Sequence, residues 1–455
     1  MVRYAAVATA TLPSLFSLLN FASPVAADNP IIQTIYTADP APLVYNNTVY
    51  LFVDHDEDGS TNYNMRDWRL FTSSDMANWQ DHGVVMSLST FSWATSRAWA
   101  GQVIARNNKF YYYVPVQTSS GSMAIGVGVA DNILGPYKDA LGKPLVSNNE
   151  IDPSVYIDDN GQAYLFWGNP GLYYAKLNQD MVSISEGPVS VQLSVAGFGA
   201  RRSGANARAT AFEEGPWIYK RAGTWYLVYA ANCCSEDIRY STAPSATGPW
   251  TYRGLVMASA GKSFTNHPGV IDFQGGSYFF YHDGALPGGS GYTRSVCVEK
   301  FTYASDGSIP TMGMTTTGAP MIGTLNPYTR QEAETMAFSS GLKTETCNEG
   351  GLDVSYINNG DYIKVKGVAF GSTGAKTLSV RVASAASGGK IEVRLGSTTG
   401  TLVGTCTVAG TGGWQTWATV SCPISGATGT QDLFFKFTGS GSAELFNFNW
   451  WQFTQ

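Results

Sequence analysis

Three acidic residues stand just ahead of strand-like apolar runs in widely separated parts of the chain. They are Asp39 in Thr37-Ala38-Asp39-Pro40, Asp152 in Glu150-Ile151-Asp152-Pro153, and Glu214 in Phe212-Glu213-Glu214-Gly215-Pro216. Two carboxyl groups suffice to hydrolyse a glycosidic bond with inversion. One is ionised and activates water, the other is protonated and gives its proton to the leaving oxygen, and the pair stands far enough apart to admit that water. A third acid can orient the proton donor and raise its pKa by like-charge repulsion. Asp39, Asp152 and Glu214 are candidates for these places if the fold brings them to one point.

Two further runs open on compact signals, Trp99-Ala100-Gly101 and Asn266-His267-Pro268-Gly269. Each of the five openers leads into a hairpin of Tyr, Val, Ile and Phe runs: 43–45 with 49–52, 103–105 with 110–113, 155–157 with 163–166, 217–219 with 225–229, and 270–272 with 277–281. Tight polar turns such as Asn46-Asn47 and Asn107-Asn108 join them. Further strand-like phrases follow, and Gly135-Pro136-Tyr137 and Gly248-Pro249-Trp250 recur in the outer turns. Helical periodicity is nearly absent, so the chain reads as all-β. Five copies of a four-strand unit predict a five-bladed β-propeller, with the inner-strand starts gathered around a central pocket. A β-sandwich with insertions is the competing architecture.

The pattern changes near Asn326-Pro327-Tyr328, beyond which the chain is richer in Gly, Ser and Thr and its short strands alternate. This predicts a second domain, a β-sandwich (jelly-roll) module. The expected organisation is an export signal at 1–27, a propeller at 28–325 and the module at 326–455. Within the signal, Arg3 supplies a basic start, residues 5–21 are apolar, and Val25-Ala26-Ala27 offers a cleavage point. The segment is short for a bilayer span and Ser and Pro interrupt it, so secretion to the extracellular space is expected rather than anchoring. The sequon Asn46-Asn47-Thr48 is compatible with export.

With a net charge of −6, 14% charged residues and no basic run, the composition argues against nucleic acid or an anionic membrane as partner. A neutral polysaccharide fits better, and 25 Tyr, 22 Phe and 12 Trp provide rings that can stack on sugar faces. Six cysteines suit an oxidising compartment. One pair per half is expected. Cys406 and Cys422 are placed to face each other across a hairpin, while adjacent Cys233 and Cys234 are either bonded to one another or two free thiols. No CxxC or His–Cys set suggests zinc.

At these motifs the sequence resembles the family 43 glycoside hydrolases through most of residues 28–320. The resemblance implies that Asp39 is the general base, Asp152 the residue that tunes the acid, and Glu214 the general acid. Strand alternation sends the neighbouring Glu213 to the other side. It also implies that Arg294 reaches sugar hydroxyls and that His267 lies near the propeller axis by a bound ion or water; Trp99 and Trp167, near the starts or ends of inner strands, are expected to wall the site. His55-Asp56-Glu57-Asp58-Gly59 lacks the full spacing of a calcium loop and reads as a polar rim.

Residues 328–455 resemble the family 6 carbohydrate-binding modules. This implies a structural calcium at Glu332 and Glu334, a sugar sandwiched by Tyr356 and Trp414, and Asn449 fixing its orientation, with Asn447 on the same strand face. The implied activity is a secreted, inverting exo-glycosidase, an α-L-arabinofuranosidase that removes branches from arabinoxylan. No organic cofactor is expected, and monomer is the default state. Rival readings are a β-xylosidase, a retaining fructan-cleaving propeller, and a non-catalytic lectin.

Overall fold

Short runs of β-branched and aromatic residues, punctuated by turns that require positive φ at Asn46, Asn47, Asn107 and Asn108, fold into antiparallel blades. The computed structural model describes residues 28–202, 208–441 and 443–455, so the expected signal at 1–27 lies outside the described residues. The first blade comprises Tyr36–Tyr45, Thr48–Asp56, Asp67–Ser73 and Trp79–Ser87. The third runs from Ser154–Ile157 to Ile184–Ser190, and the fourth from Phe212–Arg221 to Thr251–Met257. In the second blade the inner strand is split into Ala94–Ser96 and Gln102–Arg106, and the opener Trp99-Ala100-Gly101 occupies the gap.

The fifth blade departs from the four-strand expectation. Its described sheet has three strands, Gly269–Phe273, Gly276–Asp283 and Ser295–Phe301. The free edge of the last is covered by the segment that precedes the first blade: Ile31 donates its N–H to Val296 O at 2.9 Å, and Val298 donates to Asn29 Oδ1 at 3.0 Å. This closes the ring, because the chain passes from the edge of the fifth blade directly into the inner strand of the first.

Aromatic side chains pack between blades. Phe52 meets Tyr112 at 5.3 Å, Tyr156 meets Trp225 at 5.3 Å, and Trp79 of the first blade meets Phe280 of the fifth at 6.1 Å. Burial of each such ring contributes about 2–3 kcal/mol, and hydrogen bonds such as Ile218 N to Ser154 Oγ at 3.0 Å and Trp217 Nε1 to Val270 O at 3.1 Å join neighbouring blades as well.

The C-terminal module is a sandwich of two sheets. Lys343–Thr346, Leu352–Ser355, Asn447–Thr454, Thr377–Ser384 and Gly413–Pro423 form one sheet; Phe338–Ser340, Tyr362–Gly371, Gly429–Thr438, Gly388–Leu395 and Thr401–Ala409 form the other. Cys406 and Cys422 lie on different sheets with their Cα atoms 5.1 Å apart, so this sulfur pair joins the two layers instead of crossing a hairpin. Cys297 and Cys347 are buried free thiols.

The module docks on the first blade. Thr335–Met336 adds a strand to the edge Trp79–Ser87, and Asn78 exchanges hydrogen bonds with the Lys366 backbone at 2.9 and 3.1 Å.

Candidate active site

Asp39, Asp152 and Gly215 share an unusual backbone state, with φ of 50°, 60° and 57°, and each directly precedes a proline. In the first and third units the acid itself takes the positive φ. In the fourth the glycine does, which moves the acid one place earlier, to Glu214. Glycine is required there twice over, since a Cβ at Gly215 would approach His267 Nδ1 to 2.9 Å. These bulged openings turn all three carboxyl groups into one cavity of about 260 Å³. Tyr63, Trp99, Asn169, His267 and Arg294 also line it, as do Cys233 and Cys234.

Asp39 and Glu214 occupy contrasting environments. Arg294 donates from Nη1 to Asp39 Oδ1 at 3.1 Å, His282 Nδ1 stands 3.3 Å from the same oxygen, and His267 Nδ1 3.8 Å. Burial opposes ionisation, yet the Arg294 cation and the two imidazoles hold Asp39 well below the usual carboxylate range. Around Glu214 the balance reverses: burial, then the negative charges of Asp39 and Glu213, push it up to about 7. Asn169 donates from Nδ2 to Glu214 Oε2 and fixes the carboxyl. One acid is thus set to lose its proton and the other to keep it.

Asp152 is tied to the acid through the backbone, accepting from Gly215 N at 3.0 Å. Burial and the charges of Glu214 and Asp39 push Asp152 itself well above its usual range. Asp152 and Glu214 repel each other when both are ionised, so the carboxyl that positions the acid through Gly215 is also a charge beside it. Glu213 points away from the cavity axis: it is 5% exposed, pairs with Arg201 and Arg208, and accepts from Cys233 N at 3.1 Å.

Arg294, 3% exposed, is gripped by Asp56, which accepts from Nε at 2.9 Å and Nη2 at 3.1 Å. Its guanidinium also lies 5.4 Å from the centre of the Tyr63 ring. A bidentate partner fixes the plane of the fork, so the remaining Nη1 is aimed at Asp39. Asp54 is 1% exposed and has no donor partner. Burial, followed by the negative charge of Asp39, pushes it well above the usual range.

Trp99 lines the cavity, half-buried, with Nε1 donating to Tyr63 O at 3.1 Å. Trp167 does not. It is 0% exposed, donates to Asn148 Oδ1 at 3.1 Å and stacks on Tyr173, so this ring is core and not a wall of the site. Tyr63, Asn169, His282 and Asp54 were not singled out from the sequence. Of the His55–Gly59 stretch only residues 57–59 form a rim: His55 and Asp56 end the strand Thr48–Asp56, Asp56 is 0% exposed beneath Arg294, His55 pairs with Asp67 at 3.3 Å, and the loop beyond delivers Tyr63 and Met65.

In the module, Tyr356 is 51% exposed at φ 57° and Trp414 is half-buried. Register places Gly413 opposite Ser384 and Asn447 opposite Ala383, while Leu445 N donates to Ile357 O. Asn447 is therefore nearest the level of the two rings. Asn449 lies two residues further along the strand and is 0% exposed, with Nδ2 on Glu349 Oε2 at 3.3 Å; Asn447 is likewise buried, 2% exposed, with Nδ2 donating to Glu345 Oε1 at 2.7 Å. Glu332 is paired with Arg330 at 2.9 Å, whereas Glu334 is 2% exposed and its Oε2 has no partner.

The glycosyl hydrolases family 43 profile matches residues 27–309, and the carbohydrate binding module (family 6) profile matches residues 332–455. The chain is a family 43 glycosyl hydrolase. This hydrolase is 35% identical to an arabinoxylan arabinofuranohydrolase of Bacillus subtilis, an alignment that covers 95% of this chain and 93% of that protein. It is also 35% identical to an arabinoxylan arabinofuranohydrolase of Paenibacillus polymyxa, over 98% and 78% of the two chains. A crystal structure of a Bacillus subtilis family 43 arabinoxylan arabinofuranohydrolase in complex with cellotetraose superposes with a TM-score of 0.81 at 33% identity, covering 95% of this hydrolase and 99% of that chain.

Proposed function

We propose that this hydrolase acts outside the cell and removes α-L-arabinofuranosyl branches from arabinoxylan in one displacement with inversion. Asp39 deprotonates the attacking water, Glu214 protonates the departing oxygen, and Asp152 positions Glu214 through Gly215. The observation that carries this reading is the opposed protonation of Asp39 and Glu214 within one cavity. A space of about 260 Å³ suits a single sugar ring rather than a length of polysaccharide, as a branch-removing enzyme requires. The arabinoxylan-acting relatives support the choice of sugar.

The module is assigned to hold xylan through Tyr356 and Trp414. A structural calcium is placed at Glu334, with further buried oxygens of the same sheet as candidate ligands beside it. Glu334 Oε2, Asp353 Oδ1 and Asn449 Oδ1 are all buried without partners, and Ala333, beside Glu334, donates its N–H to Asn449 O at 2.8 Å. Oxygen ligands of this type suit a hard cation.

Products released from wheat arabinoxylan, together with rates on aryl arabinofuranoside and aryl xyloside, test the assignment. Free arabinose without xylose, and a strong preference for the arabinofuranoside, are expected. Preference for the xyloside would make the enzyme a β-xylosidase, and xylan binding without cleavage would make it a lectin.

A further inference from the structure

Cys233 and Cys234 are the one part of the cavity lining that neither the acid pair nor the Arg294 network explains. Their sulfurs lie within bonding distance of each other, Cys233 is half-buried and Cys234 exposed, and both residues border the same cavity as Asp39, Asp152 and Glu214. They sit between Thr224–Ala231 and Asp237–Ala243, on the fourth blade, whereas the rings of Tyr63 and Trp99 come from the first and second. The loop is anchored from below. Asn232 is 0% exposed and donates to Asp237 Oδ2 at 2.9 Å, Arg202 N donates to Asn232 Oδ1 at 2.9 Å, and Cys233 N donates to Glu213 Oε2 at 3.1 Å. A rigidly held pair of sulfurs, polarizable and without strong hydrogen-bonding capacity, presents an apolar face to whatever enters.

We infer that Cys233 and Cys234 form a disulfide that serves as a wall of the sugar pocket, packing on the C–H face of the bound furanose opposite the aromatic side, and that opening this bond weakens substrate binding. The inference rests on the reading of this cavity as the sugar site. It also makes the hydrolase responsive to thiols. A dithiol attacks one sulfur, the S–S bond breaks, and the dithiol closes to its own cyclic disulfide while the two electrons and two protons remain on Cys233 and Cys234 as thiols. Exposure of Cys234 gives the reagent access, whereas Cys406 and Cys422 are buried between the sheets of the module.

The wall contributes binding in the ground state and transition state alike, so its loss acts mainly on KM. The test uses the full chain and an arabinofuranosylated xylo-oligosaccharide, with dithiothreitol as the reductant and Asp39→Asn as the inactive reference. Thiol titration of the unfolded, unreduced enzyme is expected to count Cys297 and Cys347 only. Mild reduction of the folded enzyme is expected to raise KM about five- to twenty-fold, with kcat within about three-fold. The Cys233→Ala/Cys234→Ala variant is expected to match the reduced enzyme and to ignore the reductant. Near-ultraviolet circular dichroism of the reduced wild type, which needs no mutation, checks that the fold is kept.

Four free thiols in the unreduced enzyme, or a double variant with the wild-type KM, would overturn the inference while leaving the catalytic reading intact. A reductant effect that persists in the double variant would place the sensitivity at Cys406 and Cys422 and overturn it equally. An inactive wild type would instead remove the reading of the cavity on which it stands.

Discussion

The backbone N–H of Gly215 donates to Asp152 Oδ2 at 3.0 Å, so a carboxyl group from the third blade fixes the peptide that follows the acid of the fourth. This contact needs an acceptor at Asp152, not a negative charge. Asp152→Asn keeps an acceptor oxygen and is expected to retain kcat within about ten-fold. Asp152→Ala removes it and is expected to lose about 10²–10³-fold, since misplacing a general acid forfeits much of its contribution. Paired pH–rate profiles check the distinction. Equal losses in the two variants, with the alkaline limb displaced downward in both, would show that charge is what matters.

The two protonation states predict the form of the pH dependence. Asp39 must be ionised, and its folded-state pKa is depressed, so activity is lost only as pH falls well below the ordinary aspartate range. Glu214 must be protonated, and its pKa is raised to about 7, so activity declines as pH rises through neutrality. A profile of kcat/KM is expected to have its alkaline limb near pH 7. Glu214→Gln is expected to lose that limb and to be far less impaired on an aryl glycoside whose leaving oxygen needs no proton. A limb that survives the substitution would assign it to another group.

The grip of Asp56 on Arg294 is buried at both ends. Removing one partner strands the other, so Asp56→Ala is expected to cost about 3–5 kcal/mol of propeller stability. Arg294→Lys keeps the charge and loses the planar fork, which should release Asp39 toward ordinary acidity and move the acid limb upward, with kcat/KM reduced about 10²-fold. Denaturant unfolding at constant m reads the first effect and the pH profile the second.

Calcium is expected to stabilise the module. Dialysis against a chelator should lower the unfolding temperature by several degrees, millimolar calcium should restore it, and Glu334→Ala should abolish the response. Binding to the folded state alone at 100 times Kd contributes about 2.7 kcal/mol. Identical melting with and without the ion would exclude the site.

Much of the site was legible because Asp39, Asp152 and the Glu214-Gly215 pair each sit before proline at the start of a repeated hairpin, a pattern that survives in one dimension. Asp54 and Asp56 were hidden, since both end the second strand and Asp56 reads as part of a polar rim loop. His282 follows an apolar run and its sequence neighbours give no hint that the ring folds back onto Asp39. Trp167 misled for the opposite reason: a ring at a strand end can face the cavity or the neighbouring blade, and only packing decides. Cys406 and Cys422 look like hairpin partners because they are close in sequence, but successive strands of this sandwich switch sheets. The three-stranded fifth blade was not foreseen, because the segment that completes it comes from the other end of the propeller.

The central claim, that Asp39 and Glu214 act across one cavity with water as the direct nucleophile, is tested by proton NMR of the first-formed sugar during hydrolysis of an aryl α-L-arabinofuranoside. β-L-arabinofuranose appearing first, and converting to the α anomer only by later mutarotation, is the predicted result. α-L-arabinofuranose as the initial product would mean net retention and would contradict the account.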